Sequence, residues 1–373
     1  MSNFSKRELE RYSRHLILPG FGLEAQQKLR DASVCVVGAG GLGSPVLQYL
    51  AAAGAGRITI VDFDTVSESN LQRQVLFSTH DVGKNKANVA KVKILALNPD
   101  ITAIAVTKKL DSSNALQILD EAHIVIDCTD NFPTRYLVND ACVLLNKPLV
   151  YGSIFRYEGQ VAVFNYKNGP NYRDLYAAPP APGTVPSCEE GGVLGVLPGI
   201  IGCLQANEAI KIIAEIGEPL SGKLLLFDSL TLETNVVEFP DRKQRDSIKN
   251  LIDYEEFCGV APLNNDKDMQ EITVAELKAL KDSNADFQLI DVREDYEYEI
   301  CNIGGELISI GDIPQQIEKI DRSKKVILHC RSGSRSSNTI KWLEKNHNFT
   351  NLYNLKGGIT AWADEIDPSM PKY

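Results

Sequence analysis

Val34-Cys35-Val36-Val37-Gly38-Ala39-Gly40-Gly41-Leu42-Gly43-Ser44 is the stretch whose reading decides the fold of this chain. Its first four residues form a continuous apolar run, as expected of a strand buried on both faces of a parallel sheet. The glycines permit a tight turn, and Pro45 to Ala53 follows with helical spacing. Gly38, Gly40 and Gly43 have GxGxxG spacing, so bare amides and a helix N-terminus are set to receive a phosphate. The loop predicts a nucleotide but does not choose one. The usual owner of such a fingerprint is a dinucleotide-dependent oxidoreductase.

Outward from this loop, the strand Ala55 to Val61 ends at Asp62, about where a ribose-binding carboxylate is expected. Helical spacing over Asp81 to Leu97 and Ser112 to Asp120 alternates with apolar runs at Ile101 to Val106 and His123 to Cys128. The last run leads into Thr129-Asp130-Asn131. The alternation predicts an α/β fold, a Rossmann-like doubly wound sheet whose ligands gather beyond the strands' carboxyl ends. Leu149 to Phe155 and Gly159 to Phe164 read as hairpin-like strands, and Ala177 to Pro186 as an irregular crossover leading to Ser187-Cys188. Helix returns at Gly199 to Ile213 and strand at Lys223 to Asp228, before a charged connector from Pro240 to Asn250. A second, smaller α/β pattern starts at Glu271, so the expected organisation is a domain at 1–262, a linker at 263–269 and a domain at 270–373.

The 373 residues suffice for two domains, and a net charge of −10 argues against a surface that tracks nucleic-acid phosphates. From Gln270 on there are 13 basic and 17 acidic residues, against 26 and 32 before it, so the acidity belongs to both parts and identifies no partner. No apolar run reaches the roughly 20 residues of a membrane helix, and Met1 to Arg14 has no signal-peptide core, so a cytoplasmic location is expected. The eight cysteines contain no CxxC pair. Cys35, Cys128 and Cys142 sit in apolar patterns as core residues, whereas Cys188 and Cys330 lie among Gly, Ser and charged residues.

The choice of nucleotide falls to residues outside the glycine loop. Arg73, in Ser69-Asn70-Leu71-Gln72-Arg73-Gln74, and Lys86 suit a triphosphate attacked at its α-phosphorus, where charge develops on several oxygens. A nicotinamide site calls for few cations. Asp130, at a strand end beside Asn131, suits a magnesium ion bridging phosphate oxygens. Together these residues favour ATP over NAD.

Arg11-Tyr12-Ser13-Arg14, Gly38 to Ser44, Asp62-Phe63-Asp64, Ser69 to Gln74, Lys86, Thr129 to Arg135, Tyr151-Gly152-Ser153 and Thr184 to Gly192 together resemble the E1-like adenylyltransferases that activate ubiquitin-like sulfur carriers. The resemblance runs from about residue 4 to about residue 258. It is strongest to the molybdopterin-synthase adenylyltransferase branch, with the thiamine branch a near relative. It implies that ATP reacts with a carrier's C-terminal Gly-Gly carboxylate to give an acyl adenylate and pyrophosphate. Gly41, Asp62, Asp64, Asn70, Arg73, Lys86, Asp130 and Asn131 would bind ATP and magnesium, and Arg14 would reach into the partner site of a homodimer. Cys188 matches the cysteine that takes the activated carrier, although Glu189 and Glu190 oppose a thiolate there. Most relatives hold a structural zinc through two CxxC pairs. Here Asn171-Tyr172-Arg173-Asp174 stands at the first, the 240–250 connector has no cysteine, and Cys258 alone cannot supply four ligands, so no zinc is expected.

In the second domain, the strand Lys325 to His329 leads into Cys330-Arg331-Ser332-Gly333-Ser334-Arg335 and a helix from Ser336 to Lys345. Successive loop amides and a helix N-terminus would form an anion nest around the Cys330 sulfur, stabilising a persulfide. This loop, Asp291-Val292-Arg293 and Leu355-Lys356-Gly357-Gly358-Ile359 with Trp362 resemble the rhodanese sulfurtransferases over about residues 270 to 370. The loop is one residue shorter than in tyrosine phosphatases, which fits a single sulfur atom rather than a phosphate. The expected function joins the two domains: adenylation of a carrier, then sulfur transfer from Cys330 to form a thiocarboxylate for molybdopterin, thiamine or tRNA thiolation. Two rivals are a ubiquitin-type activating enzyme working through a Cys188 thioester, and an NAD-dependent oxidoreductase.

Overall fold

The computed structural model describes residues 4–180, 191–259 and 269–373. Cys188 and positions 263–268 of the expected linker lie outside them. The chain divides into two compact units, Met1–Ala261 and Pro262–Tyr373.

The first unit is built on an eight-stranded sheet: β1 (Ser33–Val37), β2 (Arg57–Val61), β3 (Thr102–Val106), β4 (Ile124–Asp127), β5 (Leu149–Phe155), β6 (Glu158–Phe164), β7 (Lys223–Asp228) and β8 (Thr234–Glu238), in the order β3-β2-β1-β4-β5-β6-β7-β8. Strands β1 to β5 are parallel and β5 to β8 form an antiparallel meander. Separate apolar clusters cover its two faces, one built around Leu47, Leu50 and Ile94, the other around Tyr136, Leu119 and Phe164. Burial on both faces explains why β1 and β4 read as unbroken apolar runs. Register then does the positioning: Val37 pairs with Val61 on one side and Asp127 on the other, so the carboxyl ends of β1, β2 and β4 finish level.

Several elements depart from their sequence periods for local reasons. Ser5 to Leu16 has helical spacing throughout yet forms two helices, Lys6–Arg11 and Ser13–Leu16, because the intervening Tyr12 is buried and its hydroxyl accepts from Asn98 Nδ2 at 3.0 Å. The helix expected from Asp81 starts at Lys86, where Asn85 caps it by accepting from the Asn88 amide at 3.1 Å. Helix Phe132–Leu144 and strand β8 are additions; β8 is exposed along its whole length, so it carries no alternating signal. No described helix is long and apolar enough to cross a membrane.

The second unit has a five-stranded, all-parallel sheet: β9 (Glu271–Ile272), β10 (Phe287–Asp291), β11 (Glu306–Leu307), β12 (Lys325–His329) and β13 (Leu352–Leu355), ordered β11-β10-β12-β13-β9. Apolar clusters again lie on both faces. Central strand β12 delivers Cys330 to the carboxyl edge, and helices Ser334–His347 and Gly358–Glu365 meet it there.

Candidate active sites

Beyond the carboxyl ends of β1, β2 and β4 lies a cavity of about 400 Å³. Gly38, Gly40, Gly41, Asp62, Asp64, Arg73, Lys86, Asp130 and Asn131 all line it. Two of the glycines are required by space. Gly38 has φ +94° and a Cβ there would lie 2.7 Å from the Cys128 carbonyl oxygen. A Cβ on Gly43 would fall on the Gly38 carbonyl, so Gly43 does not line the cavity but lets helix Gly43–Ala53 seat against the loop.

Asp62 accepts from the amides of Ala39 at 2.8 Å and Asp64 at 2.9 Å, which fixes its carboxylate beside the glycine loop. Burial nevertheless holds its carboxyl above the usual carboxylate range. Lys86 is buried, its ammonium 3.3 Å from Asp64, and Arg73 donates to the Ser69 carbonyl at 3.1 Å. A buried ammonium and a half-buried guanidinium on one wall make the cavity suited to a polyanion. On the opposite wall, Asn131 caps helix Phe132–Leu144 by accepting from the Thr134 amide at 3.0 Å, leaving Asp130 exposed at the strand end.

Asn70 and Arg14 are not part of the cavity lining. Asn70 closes a 3-10 turn, accepting from the Ser67 amide at 3.3 Å, and so sets the position of Arg73 three residues on. Arg14 is exposed on helix Ser13–Leu16. Lys108 and Lys109, just after β3, line the cavity and were missed; their place past a predicted strand end was the available signal. Among the described residues no cluster of three His, Cys, Asp or Glu side chains is set to hold a metal. Burial pushes the Cys35 thiol up to about 12 and those of Cys128 and Cys142 well above their ordinary value, as fits inert core cysteines.

Where relatives would carry the first CxxC pair, Asn171–Asp174 forms a polar clip. Arg173 makes two hydrogen bonds to buried Asp140, at 2.8 and 2.7 Å, and the Tyr254 hydroxyl donates to the same carboxylate at 2.7 Å. Buried Asp174 accepts from the amides of Arg242 at 2.9 Å and Gln244 at 3.1 Å, tying the connector to the body of the unit.

In the second unit Cys330 is 0% exposed. The Gly333 amide donates to its sulfur at 3.2 Å, and the Ser336 hydroxyl lies 3.6 Å away. The carbonyls of Cys330 and Arg331 accept from the amides of Ile359 and Thr360 at 2.9 and 3.0 Å, so they face helix Gly358–Glu365 while the Gly333 amide faces the sulfur. The helix begins two residues earlier than its period suggests, which makes Ser334 and Arg335 its first turn rather than loop. Arg335 forms two 2.7 Å hydrogen bonds with Glu297. Arg331 and Ser332 follow Cys330 in sequence, half-buried and exposed respectively.

A parallel sheet with a phosphate-ready loop and polyanion cavity, joined to a domain that sets a loop amide and a hydroxyl on one buried sulfur, defines a nucleotide-dependent enzyme with a sulfur-handling module. The ThiF family profile matches residues 12–249 and that of the rhodanese-like domain matches 273–365. The chain belongs to the ThiF family. It is 44% identical, over its whole length and 97% of the other protein, to "Probable adenylyltransferase/sulfurtransferase MoeZ" of Mycobacterium tuberculosis. "Adenylyltransferase and sulfurtransferase MOCS3" of Drosophila yakuba is 42% identical over 98% of this chain and 85% of that one. A solved structure of Escherichia coli MccB with ATP matches with a TM-score of 0.53 and 26% identity, covering 64% of this chain and 72% of that one. The chain is accordingly an enzyme with adenylyltransferase and sulfurtransferase activities, and ATP is its nucleotide.

Proposed function

We propose that the enzyme adenylates the C-terminal Gly-Gly carboxylate of a ubiquitin-like sulfur-carrier protein and then converts it to a thiocarboxylate with sulfur from Cys330. The observation that carries this reading is the gathering of Asp62, Arg73, Lys86 and Asp130 around one cavity in a chain that also buries a cysteine sulfur against a loop amide. A carboxylate is a poor electrophile, and adenylation gives it a good leaving group. Attack of one anion on another needs its repulsion offset, the task assigned to Arg73, Lys86 and the partner's copy of Arg14 in a homodimer. Asp62 would take the ribose. The exposed Asp130 carboxylate beside Asn131 is a hard oxygen donor of the kind magnesium shares with substrate phosphates, where the ion would neutralise phosphate charge.

In the second half-reaction the terminal sulfur of the Cys330 persulfide attacks the acyl carbonyl and AMP leaves with the bonding pair. An external thiol attacks the Cys330 sulfur of the resulting acyl disulfide, which frees the thiocarboxylate and leaves a mixed disulfide on Cys330; a second thiol then reduces that disulfide and restores the Cys330 thiol. The enzyme is placed in the cytoplasm, the compartment that keeps thiols reduced and so supplies this step.

Carrier-dependent exchange of labelled pyrophosphate into ATP tests the reading. Arg73→Ala and Asp130→Ala are expected to lose it by about 100-fold or more, and Cys330→Ala to keep it while losing thiocarboxylate formation. Normal exchange in Asp130→Ala would remove the magnesium assignment, and loss of exchange in Cys330→Ala would overturn the division of labour. No zinc is expected at the Asn171–Asp174 clip, and a metal assay finding one zinc per chain would refute that.

A further inference from the structure

The last turn of the described chain returns to the persulfide loop. After helix Gly358–Glu365, Asp367 organises a turn by accepting from Ser369, and Ile366, Met370 and Tyr373 pack on the apolar cluster that holds Ile359 and Trp362. Packing alone would need no hydroxyl on Tyr373. Yet that hydroxyl donates to Glu297 Oε1 at 3.1 Å and accepts from Arg293 Nη1. Burial raises the phenol, so it stays a donor at neutral pH.

Both partners are committed elsewhere in a way that leads to Cys330. Glu297 is the carboxylate that grips Arg335, in the first turn after the loop. Arg293 is fully buried, paired with Asp291 at 2.6 Å and donating to the Cys301 carbonyl at 2.8 Å, so it is a fixed post rather than a mobile side chain. The Tyr373 ring also lies 5.5 Å from the guanidinium carbon of Arg331, the residue after the nucleophile, and 5.7 Å from that of Arg293. One side chain therefore touches the residue following Cys330 with its ring and, through Glu297, Arg335 in the helical turn after the loop with its hydroxyl.

We propose that Tyr373 is a positioning residue for sulfur transfer, bracing the Cys330–Gly333 loop at Arg331 and at Arg335 in the helical turn that follows, so that the Gly333 amide stays aimed at the sulfur. This rests on the reading of Cys330 as the sulfur carrier. Loss of the brace leaves the donor's access unchanged and lowers the fraction of loops shaped to stabilise the persulfide. The effect is on turnover and persulfide lifetime rather than on donor binding.

The test uses the full chain with thiosulfate and cyanide. Thiosulfate gives its outer sulfur to the Cys330 thiolate and releases sulfite; cyanide then removes that sulfur as thiocyanate and restores the thiolate. Tyr373→Phe keeps the ring and loses the hydroxyl, and is expected to lower kcat about 3-fold; Tyr373→Ala loses both, and about 10-fold or more is expected. KM for thiosulfate should stay within about two-fold in both, with the persulfide lifetime, followed by mass spectrometry, shortening in the same order. Parental kcat and lifetime in both variants, whatever their melting temperatures, would overturn the proposal, as would a change confined to KM. Should Tyr373→Ala fail to fold, Tyr373→Phe decides, since parental turnover there removes the hydroxyl's role. Thiocyanate formation by Cys330→Ala would instead refute the reading of Cys330 itself, a separate failure.

Discussion

After β1 and after β12 the chain makes the same move, from a central parallel strand through a glycine-bearing loop into a helix. After β1 the loop borders an open cavity of about 400 Å³ with Arg73 and Lys86 on its wall. After β12 the centre is occupied by the chain's own Cys330 sulfur, 0% exposed, with the Gly333 amide 3.2 Å away. A loop whose centre is glycine receives its anion from solution and needs cations to hold it. A loop centred on cysteine carries its anion covalently and needs mainly shape. The carbonyls tell the same story: after β12 those of Cys330 and Arg331 are tied to the amides of Ile359 and Thr360, which keeps them off the sulfur.

The sharpest way to break this comparison is to add a methyl group to each loop. Gly43→Ala places a Cβ on the Gly38 carbonyl and Gly38→Ala must hold φ +94° with a Cβ 2.7 Å from the Cys128 oxygen. Both are expected to lower pyrophosphate exchange by about 100-fold or more and to leave thiocyanate formation within about two-fold. Gly333→Ala, at φ +93° with a Cβ 3.1 Å from the Leu355 carbonyl, should do the reverse more mildly, costing sulfur transfer about 10-fold and sparing exchange. Exchange at the parental rate in Gly43→Ala would show that the two loops do not depend on their glycines in the same way.

Acid should also separate the units. His329 is fully buried beneath the sulfur loop, and burial pushes its imidazole from 6.5 down to about 4. Between those values the unfolded chain binds the extra proton, so the stability contribution is present in full above about pH 6.5 and is lost as pH falls toward 4. From pH 7 to pH 5 the second unit is expected to lose about 2 kcal/mol. Both tryptophans, Trp342 and Trp362, lie in that unit, so the tryptophan fluorescence of the full chain during denaturation reads it alone. A fluorescence midpoint unchanged over this range would refute the assignment. The smallest expected effect is at Lys108, exposed at the cavity edge: Lys108→Ala should raise KM for ATP about 3-fold with kcat nearly unchanged.

Much of this was legible because the relevant signals are local. The run Val34 to Val37, the glycine spacing and the carboxylates at successive strand ends follow directly from how parallel strands are buried and where they stop. What escaped was set by partners distant in sequence. Tyr12 breaks a helix because Asn98 waits for its hydroxyl, and Lys108 reaches the cavity because β3 finishes beside β2. Arg335 belongs to a helix rather than to its loop, with its charge taken by Glu297 from another element. Strand β8 offers no pattern because neither of its faces is buried; its pairing with β7 is what makes it a strand.

The clip formed by Asp140, Arg173 and Asp174 has a chemical consequence of its own. It binds the connector to the body of the first unit with carboxylates, a guanidinium and backbone amides, none of which is a nucleophile toward sulfur. Polysulfides, peroxide and stray persulfides attack thiolates, and a junction held by thiolates would be exposed to the very reagents that a sulfur-mobilising enzyme keeps nearby. Here the fastening is immune to the cargo.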